Sequence, residues 1–235
     1  MKTITDRYLK YVYLFLWVLL CVAVQVDAGI MKKITTTTSM DSLYTLYKKG
    51  SSYDRRYILK YIPQWSEEND YAREPDWLHA SVTEELKAKN AMLVMEAVIL
   101  AGRYRYEDTY TRLIELYKNV YQLFPADANR IRSAVLGTVM QFEETLAKEC
   151  ITVCINHTPN DVLKPFYPSL LHGVARYGDE TFIPKLDEIS LFVEGRLAAL
   201  DKQEQPGDLI IKYKSVLHQL NRVKEDLQRR GGEDE

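Results

Sequence analysis

The decapeptide Tyr177-Gly178-Asp179-Glu180-Thr181-Phe182-Ile183-Pro184-Lys185-Leu186 sets the organisation of the chain around it. Its parts are an aromatic that closes an apolar stripe, a glycine that lets the chain turn, an acid placed to cap, and a proline in the first turn of the next helix. That is the composition of a joint between two short antiparallel helices. Upstream, Pro168 opens a helix whose apolar face is Leu170, Leu171, Val174 and Tyr177. Downstream, Phe182, Ile183, Leu186, Ile189, Val193, Leu197 and Leu200 recur at helical spacing.

Weaker copies of the joint lie at Tyr106-Glu107-Asp108 and at Phe142-Glu143-Glu144-Thr145, and the aromatics of the three joints are spaced 36 and 35 residues apart. Around the first, the spacing predicts a face of Ala91, Met95, Val98, Ile99 and Gly102, then a helix lined by Tyr110, Leu113, Ile114, Tyr117, Val120, Tyr121 and Phe124 up to Pro125. Around the second, Asp127 is placed to cap a helix with Ile131, Ala134, Val135, Thr138, Val139 and Phe142 on its face. Leu146, Ala147, Cys150, Ile151 and Cys154 line its partner. A helix apolar over so broad a face cannot bury it alone, but stacked pairs bury a continuous core, and about three units are the minimum.

Gly178-Asp179 followed by Ile183-Pro184 and Leu186 resembles the turn and second helix of a HEAT repeat. The first and second joints depart from the pattern, lacking the glycine and proline, and the resemblance covers roughly residues 81–200. It implies an all-α chain built as a short α-solenoid of about three antiparallel helix pairs. An ordinary helical bundle is the competing architecture.

The flanking sequence divides naturally. Lys2, Arg7 and Lys10 precede an apolar run from Tyr11 to Val26 broken only by Gln25, and Val26-Asp27-Ala28 offers a cleavage site before Gly29. This is the layout of a secretory signal peptide over residues 1–28, since 16 apolar residues fall short of the ~20 that span a bilayer. The expected location is secreted or periplasmic, with an uncleaved N-terminal membrane anchor as the alternative. Residues 29–40, with Ile34 to Ser39, are expected to form a Thr-rich tether.

Residues 41–80 are expected to hold two short helices and a loop. Gly50 ends the first, Pro63 ends the second, and Trp65, Tyr71, Pro75 and Trp77 lie in the loop, either capping the stack or exposed for a ligand. Ser81-Val82-Thr83-Glu84 has the form of a capping box that starts the first repeat helix. Residues 201–235 begin with a polar hinge at Pro206-Gly207. Leu209, Tyr213, Val216, Leu220, Val223 and Leu227 then make a short heptad seam, and the charged tail from Arg229 is expected to fray.

The 235 residues are 46% hydrophobic, with 31 Lys and Arg against 33 Asp and Glu; this near balance argues against a general nucleic-acid binder. His79, His157, His172 and His218 are scattered, and Cys150 and Cys154 lie four apart on one helix, a spacing that suits two small buried hydrophobes better than a metal or redox pair. Glu67-Glu68 and Glu143-Glu144 suit a solvated surface. Asn156-His157-Thr158 matches a glycosylation sequon, and Arg103-Tyr104-Arg105-Tyr106 suits either a repeat junction or a cation–π patch.

No nucleophile elbow, phosphate loop or dinucleotide fingerprint is present, so no cofactor, metal or catalytic residue is expected. The expected function is that of an exported, non-catalytic protein-binding or scaffold module. Arg112, Lys148 and Lys185 on the second helices are the expected contacts with a protein partner. The rival classes are a small-ligand binder or enzyme assembled from distant residues such as His172, Glu180 and Tyr177, and a homo-oligomer formed through the seam of residues 209–227.

Overall fold

A computed structural model describes residues 32–34, 39–68, 74–202 and 207–233. The expected signal peptide, most of the tether, Tyr71 and the Pro206 hinge lie outside the described residues. Those described are all-α, with no strand among them, and they fall into two compact units, Met1–Leu78 and His79–Glu235.

In the first unit α1 (Met40–Lys49) packs on α2 (Ser52–Glu68). Ser39 caps α1, its hydroxyl accepting from Ser42 N–H, and Asp54 accepts from both the N–H and hydroxyl of Ser51 at the head of α2. Leu43 and Tyr47 meet the core from α1, while Ile58, Leu59, Ile62 and Trp65 meet it from α2. Pro63 does not end the second helix as expected: α2 runs on to Glu68. The ring removes one backbone donor, but Ile62, Pro63, Trp65 and Ser66 are all buried, and burial of the large apolar side chains, about 1.5–3 kcal/mol each, offsets the roughly 3 kcal/mol lost at the proline. Trp65 is therefore a core residue on a helix. Trp77 stacks on Tyr44 at 5.0 Å and lies 5.3 Å from Tyr47.

The second unit opens with the remainder of α3 (Leu78–Glu85) and continues with α4 (Ala91–Arg103), α5 (Tyr110–Leu123), α6 (Ala128–Val139), α7 (Glu144–His157), α8 (Tyr167–Tyr177), α9 (Ile183–Lys202) and α10 (Gly207–Glu233). The expected capping box lies inside α3 and starts nothing. Ser81 is buried there, Thr83 turns back to donate to the His79 carbonyl, and the cap of the following helix is Asn90, whose side-chain oxygen accepts from Met92 and Leu93 N–H. A Thr bonded four residues back supports an interior turn instead of a start.

Two rows of helices emerge from the contacts. α4 touches α6, α6 touches α8 and α8 touches α10, while α5 touches α7 on the other side. The first row approaches closely at Gly102, where an added Cβ would lie 2.9 Å from Thr138 Cα; Thr138 Oγ1 donates to the Val98 carbonyl across the same gap at 2.7 Å. The face of α4 differs from expectation: Leu93, Val94, Ala97, Val98, Leu100 and Ala101 are buried and Ile99 is 48% exposed. The buried arc of α4 is therefore broader than a narrow 3.6-residue stripe, which undercounts it.

The three joints are built as anticipated in outline and differently in detail. Tyr106 and Phe142 are buried and Tyr177 half-buried. A 3₁₀ turn precedes α5 at Glu107–Thr109 and another precedes α9 at Glu180–Phe182. Asp179 caps the latter, accepting from Thr181 N–H at 3.0 Å. Gly178 has φ −76°, which any residue adopts, so conformational freedom is not its role. A Cβ there would lie 2.5 Å from the Val174 carbonyl oxygen, and space is the reason for the glycine. Asp127 makes no cap bond and pairs with Arg130 instead. The tail expected to fray stays helical to Glu233, with Arg230 donating to the Ala175 carbonyl of α8 at 2.6 Å.

Candidate functional site

The heptad seam of α10 is used within the chain. Tyr213, Leu220, Val223 and Leu227 are buried, and α10 packs on α9 and α8. Lys224 fixes one side, donating to Asp187 of α9 at 3.1 Å and to Ser190 at 3.2 Å, and Arg230 fixes the other through the Ala175 carbonyl. Between these ties α8 and α10 stand apart far enough to leave an open groove of about 290 Å³.

The groove has a regular construction. Pro168, Leu171, His172 and Ala175 form one wall, and Gln219, Arg222, Val223 and Asp226 form the other. Both sets follow the i, i+3, i+4, i+7 spacing of a single helix face. Leu171 and Val223 are buried and form an apolar floor; His172, Gln219 and Arg222 are exposed along the rim. Asp226 is held by Arg229 at 2.6 Å, whereas Arg222 has no acidic partner among the described residues. An apolar floor with one uncommitted guanidinium suits an apolar segment that carries a carboxylate, because Arg presents paired donors to a carboxylate.

The residues expected to touch a partner take other positions. Arg112 on α5 pairs with Glu115 at 2.9 Å, and Lys185 on α9, half-buried, pairs with Glu188 at 2.7 Å. Lys148 on α7 reaches across to the Asp179 carboxylate of the next joint. The hydrogen bond from Lys148, followed by that from Thr181, lowers the Asp179 pKa to about 2. Lys148 is thus a fastening between successive helix pairs. The first two joints are fastened in an analogous way: the Glu107 carboxylate accepts from Glu143 N–H at 2.7 Å.

Of the rival constellation, only His172 reaches the groove. The Tyr177 hydroxyl donates to the Met140 carbonyl, and the Glu180 carboxylate lies against the backbone of Gly231. The structure does not bring these three residues together. Cys150 and Cys154 are buried and unbridged; burial pushes the Cys150 thiol up to about 12 and raises that of Cys154 further. Among the described residues no cluster of His, Cys, Asp or Glu is arranged to hold a metal ion, and no helix is long and apolar enough to cross a membrane. In the sequon, Thr158 is buried: its hydroxyl donates to the Cys154 carbonyl, which leaves it to accept from the Tyr117 hydroxyl at 3.0 Å. Arg105, in the Arg-Tyr-Arg-Tyr run, turns the chain with φ 54°, and Tyr104 stacks on Tyr106 at 5.8 Å.

One internal feature had no signal in the sequence. Arg132 of α6 is 3% exposed and sits among the rings of Tyr117, Tyr121 and Phe166, at 4.8, 4.6 and 5.1 Å from their centroids. Its Nε donates to the Tyr117 carbonyl at 3.1 Å, and it pairs with Asp161 at 2.9 Å. On the helical wheel Arg132 is only a charge beside Ile131; a cage formed by residues 11 to 34 positions away has no local pattern. Comparison with known protein families, with characterised proteins and with solved structures finds no match to this chain.

Proposed function

We propose that the chain is an exported, non-catalytic protein-binding module. In this proposal its helix pairs form a short HEAT-like α-solenoid, and the groove between α8 and α10 receives a segment of a partner protein. The observation that carries the proposal is the pairing of two i, i+3, i+4, i+7 stripes across an apolar floor. A trough between two helices accepts the ridge of a third, the geometry of helix-in-groove recognition. The stripes each extend over about seven residues, roughly 10 Å of helix. That length takes two turns of a ligand helix, with an acidic side chain opposite Arg222. Export is supported by the residue pattern of positions 1–28.

A photoreactive amino acid at Gln219, with the full chain produced in its own host, tests the proposal. A discrete cross-linked product is expected, and it should disappear when Leu171→Arg fills the floor. The same label at exposed Glu144 of α7 should give none. Absence of a product at Gln219, or equal products from both positions, would overturn the proposal. A product at twice the 27.4 kDa chain mass would assign the groove to a second copy. A small metabolite that raises the melting midpoint of the wild type and not of Arg222→Ala would assign it to a small ligand instead.

A further inference from the structure

One side of the α9–α10 hairpin lies away from α8 and the groove. Lys224 marks it: its bonds to Asp187 and Ser190 tie the two antiparallel helices along this side and set their register. From Asp187 the helical spacing i+4, i+7, i+11, i+14 carries the side along α9 through Leu191, Glu194, Ala198 and Asp201. From Lys224 the same spacing, taken backwards, carries it along α10 through Asn221, Leu217, Lys214 and Ile210. Gln219, Arg222 and Asp226 of the groove lie round the opposite side of α10.

This side is apolar along its middle and charged along its edges. Leu191 is 68% exposed, the most exposed large hydrophobic among the described residues. Ala198 is exposed beside it, and Ile210 and Leu217 are half-buried. Asp187 and Lys224 satisfy each other. Glu194 and Asp201 on α9 and Lys214 on α10 are exposed and have no ion pair among the described residues. Lys214 stands ten residues before Lys224, which places it level with residues 197–200 of α9, between Glu194 and Asp201. By the same spacing Arg196, Asp208 and Lys212 fall on the groove side of the hairpin, and Glu188, His218 and Glu225 fall on its outer edges.

An acidic α9 edge beside a basic α10 edge is complementary to itself. A two-fold axis parallel to the helices lays α9 of one copy over α10 of the other, antiparallel, as in a four-helix bundle. Each Lys214 then meets Glu194 and Asp201 of the other copy, and the Leu191, Ala198, Ile210 and Leu217 surfaces close on one another. The alternative two-fold, with α9 over α9, sets acid against acid. The 14-residue span from Asp187 to Asp201 is about 21 Å long and two helices are about 20 Å wide. That is roughly 400 Å² in projection, and side-chain relief brings it to roughly 600 Å² per copy, the lower limit for a specific interface. A dimer of micromolar strength follows from an area of this size.

We propose that two copies of the chain pair through this side of the α9–α10 hairpin. The contact uses neither the seam, whose Tyr213, Leu220, Val223 and Leu227 are buried within one chain, nor the groove. It therefore does not depend on a partner bound there.

The test is sedimentation of the full chain from about 1 to 200 μM, where a shift from monomer to dimer is expected. Lys214→Glu should weaken the dimer about tenfold, and so should the double variant Glu194→Lys/Asp201→Lys, because each sets like charges opposite one another. An equimolar mixture of these two variants should recover the wild-type association, since every pair across the contact is again of opposite sign; a role confined to one chain would not be rescued by mixing. Leu191→Glu, at an exposed position, should weaken the dimer with its melting midpoint unchanged. Leu171→Arg, in the groove, should dimerise as the wild type does. A monomer at every concentration, a dimer that none of the α9 and α10 variants weakens, or a mixture no tighter than either variant alone would each overturn the proposal. Loss of the dimer in Leu171→Arg alone would overturn it too and would move the second copy to the groove.

Discussion

Arg132 offers the sharpest test of how the second unit is held together. Replacing it with Ala removes a charge-assisted bond to Asp161, a bond to the Tyr117 carbonyl and three ring contacts, and it opens a cavity beside Phe166. Breaking a buried ion pair costs about 3–5 kcal/mol. The Asp161 side chain is 32% exposed and can rehydrate, which places Arg132→Ala at the low end, about 3 kcal/mol. Arg132→Lys keeps the charge but not the fork that reaches both oxygens, and should cost about 2 kcal/mol. Arg132→Met refills the cage with apolar volume and should cost less than either, because the aromatic walls need a body more than a charge. For a chain of this size the Ala variant should melt roughly 6–12 °C lower by circular dichroism at 222 nm. Hydrogen exchange should quicken in α5, α6 and α8, the helices at the cage. A shift under about 2 °C for Arg132→Ala, or Met proving worse than Ala, would refute the reasoning.

Single contacts set the other expectations. Asp179→Asn keeps an acceptor for Thr181 and loses the ion pair with Lys148, whereas Asp179→Ala loses both. At 47% exposure the pair is worth under about 1 kcal/mol and the cap about 1 kcal/mol. Because the folded pKa of Asp179 is lowered to about 2, the ion-pair stability is present above about pH 4 and lost as pH falls toward 2. Melting points of wild type and Asp179→Asn should therefore differ at pH 6 and converge near pH 2. Gly178→Ala should lower stability by about 1–3 kcal/mol through its collision with the Val174 carbonyl. Gly137→Ala, mid-helix with nothing within 4 Å of the new Cβ, should raise it by about 0.5–1 kcal/mol. Cys150 and Cys154 should resist iodoacetamide at pH 8 in the folded chain and react in urea, as read by peptide mass, since burial keeps both thiols protonated.

The helical class, the positions of the three joints and the Asp179 cap were legible in the sequence, because each rests on contacts within a few residues. Helical spacing and capping are local, and local rules act before any tertiary partner is present. The same reasoning failed where a distant surface overrode the local preference. Pro63 sits inside α2 because core burial on both sides of it carries the helix through, and Ser81-Val82-Thr83-Glu84 is interior to α3 because its residues found other bonds. Ile99 emerged to solvent while Leu93 and Ala97 went in, a choice made by neighbouring helices.

Charge pairing was least legible of all. Arg112, Lys148 and Lys185 looked equally available on their helix faces, yet each found an acid, and one of those acids lay 31 residues away. The groove between α8 and α10 joins residues some 50 apart in sequence and had no local signature. By itself the sequence determined the periodic helices and the joints between them. Only the tertiary structure decided which faces were consumed by neighbours and which charges stayed uncommitted, because burial and ion pairing depend on distances that chain separation does not set.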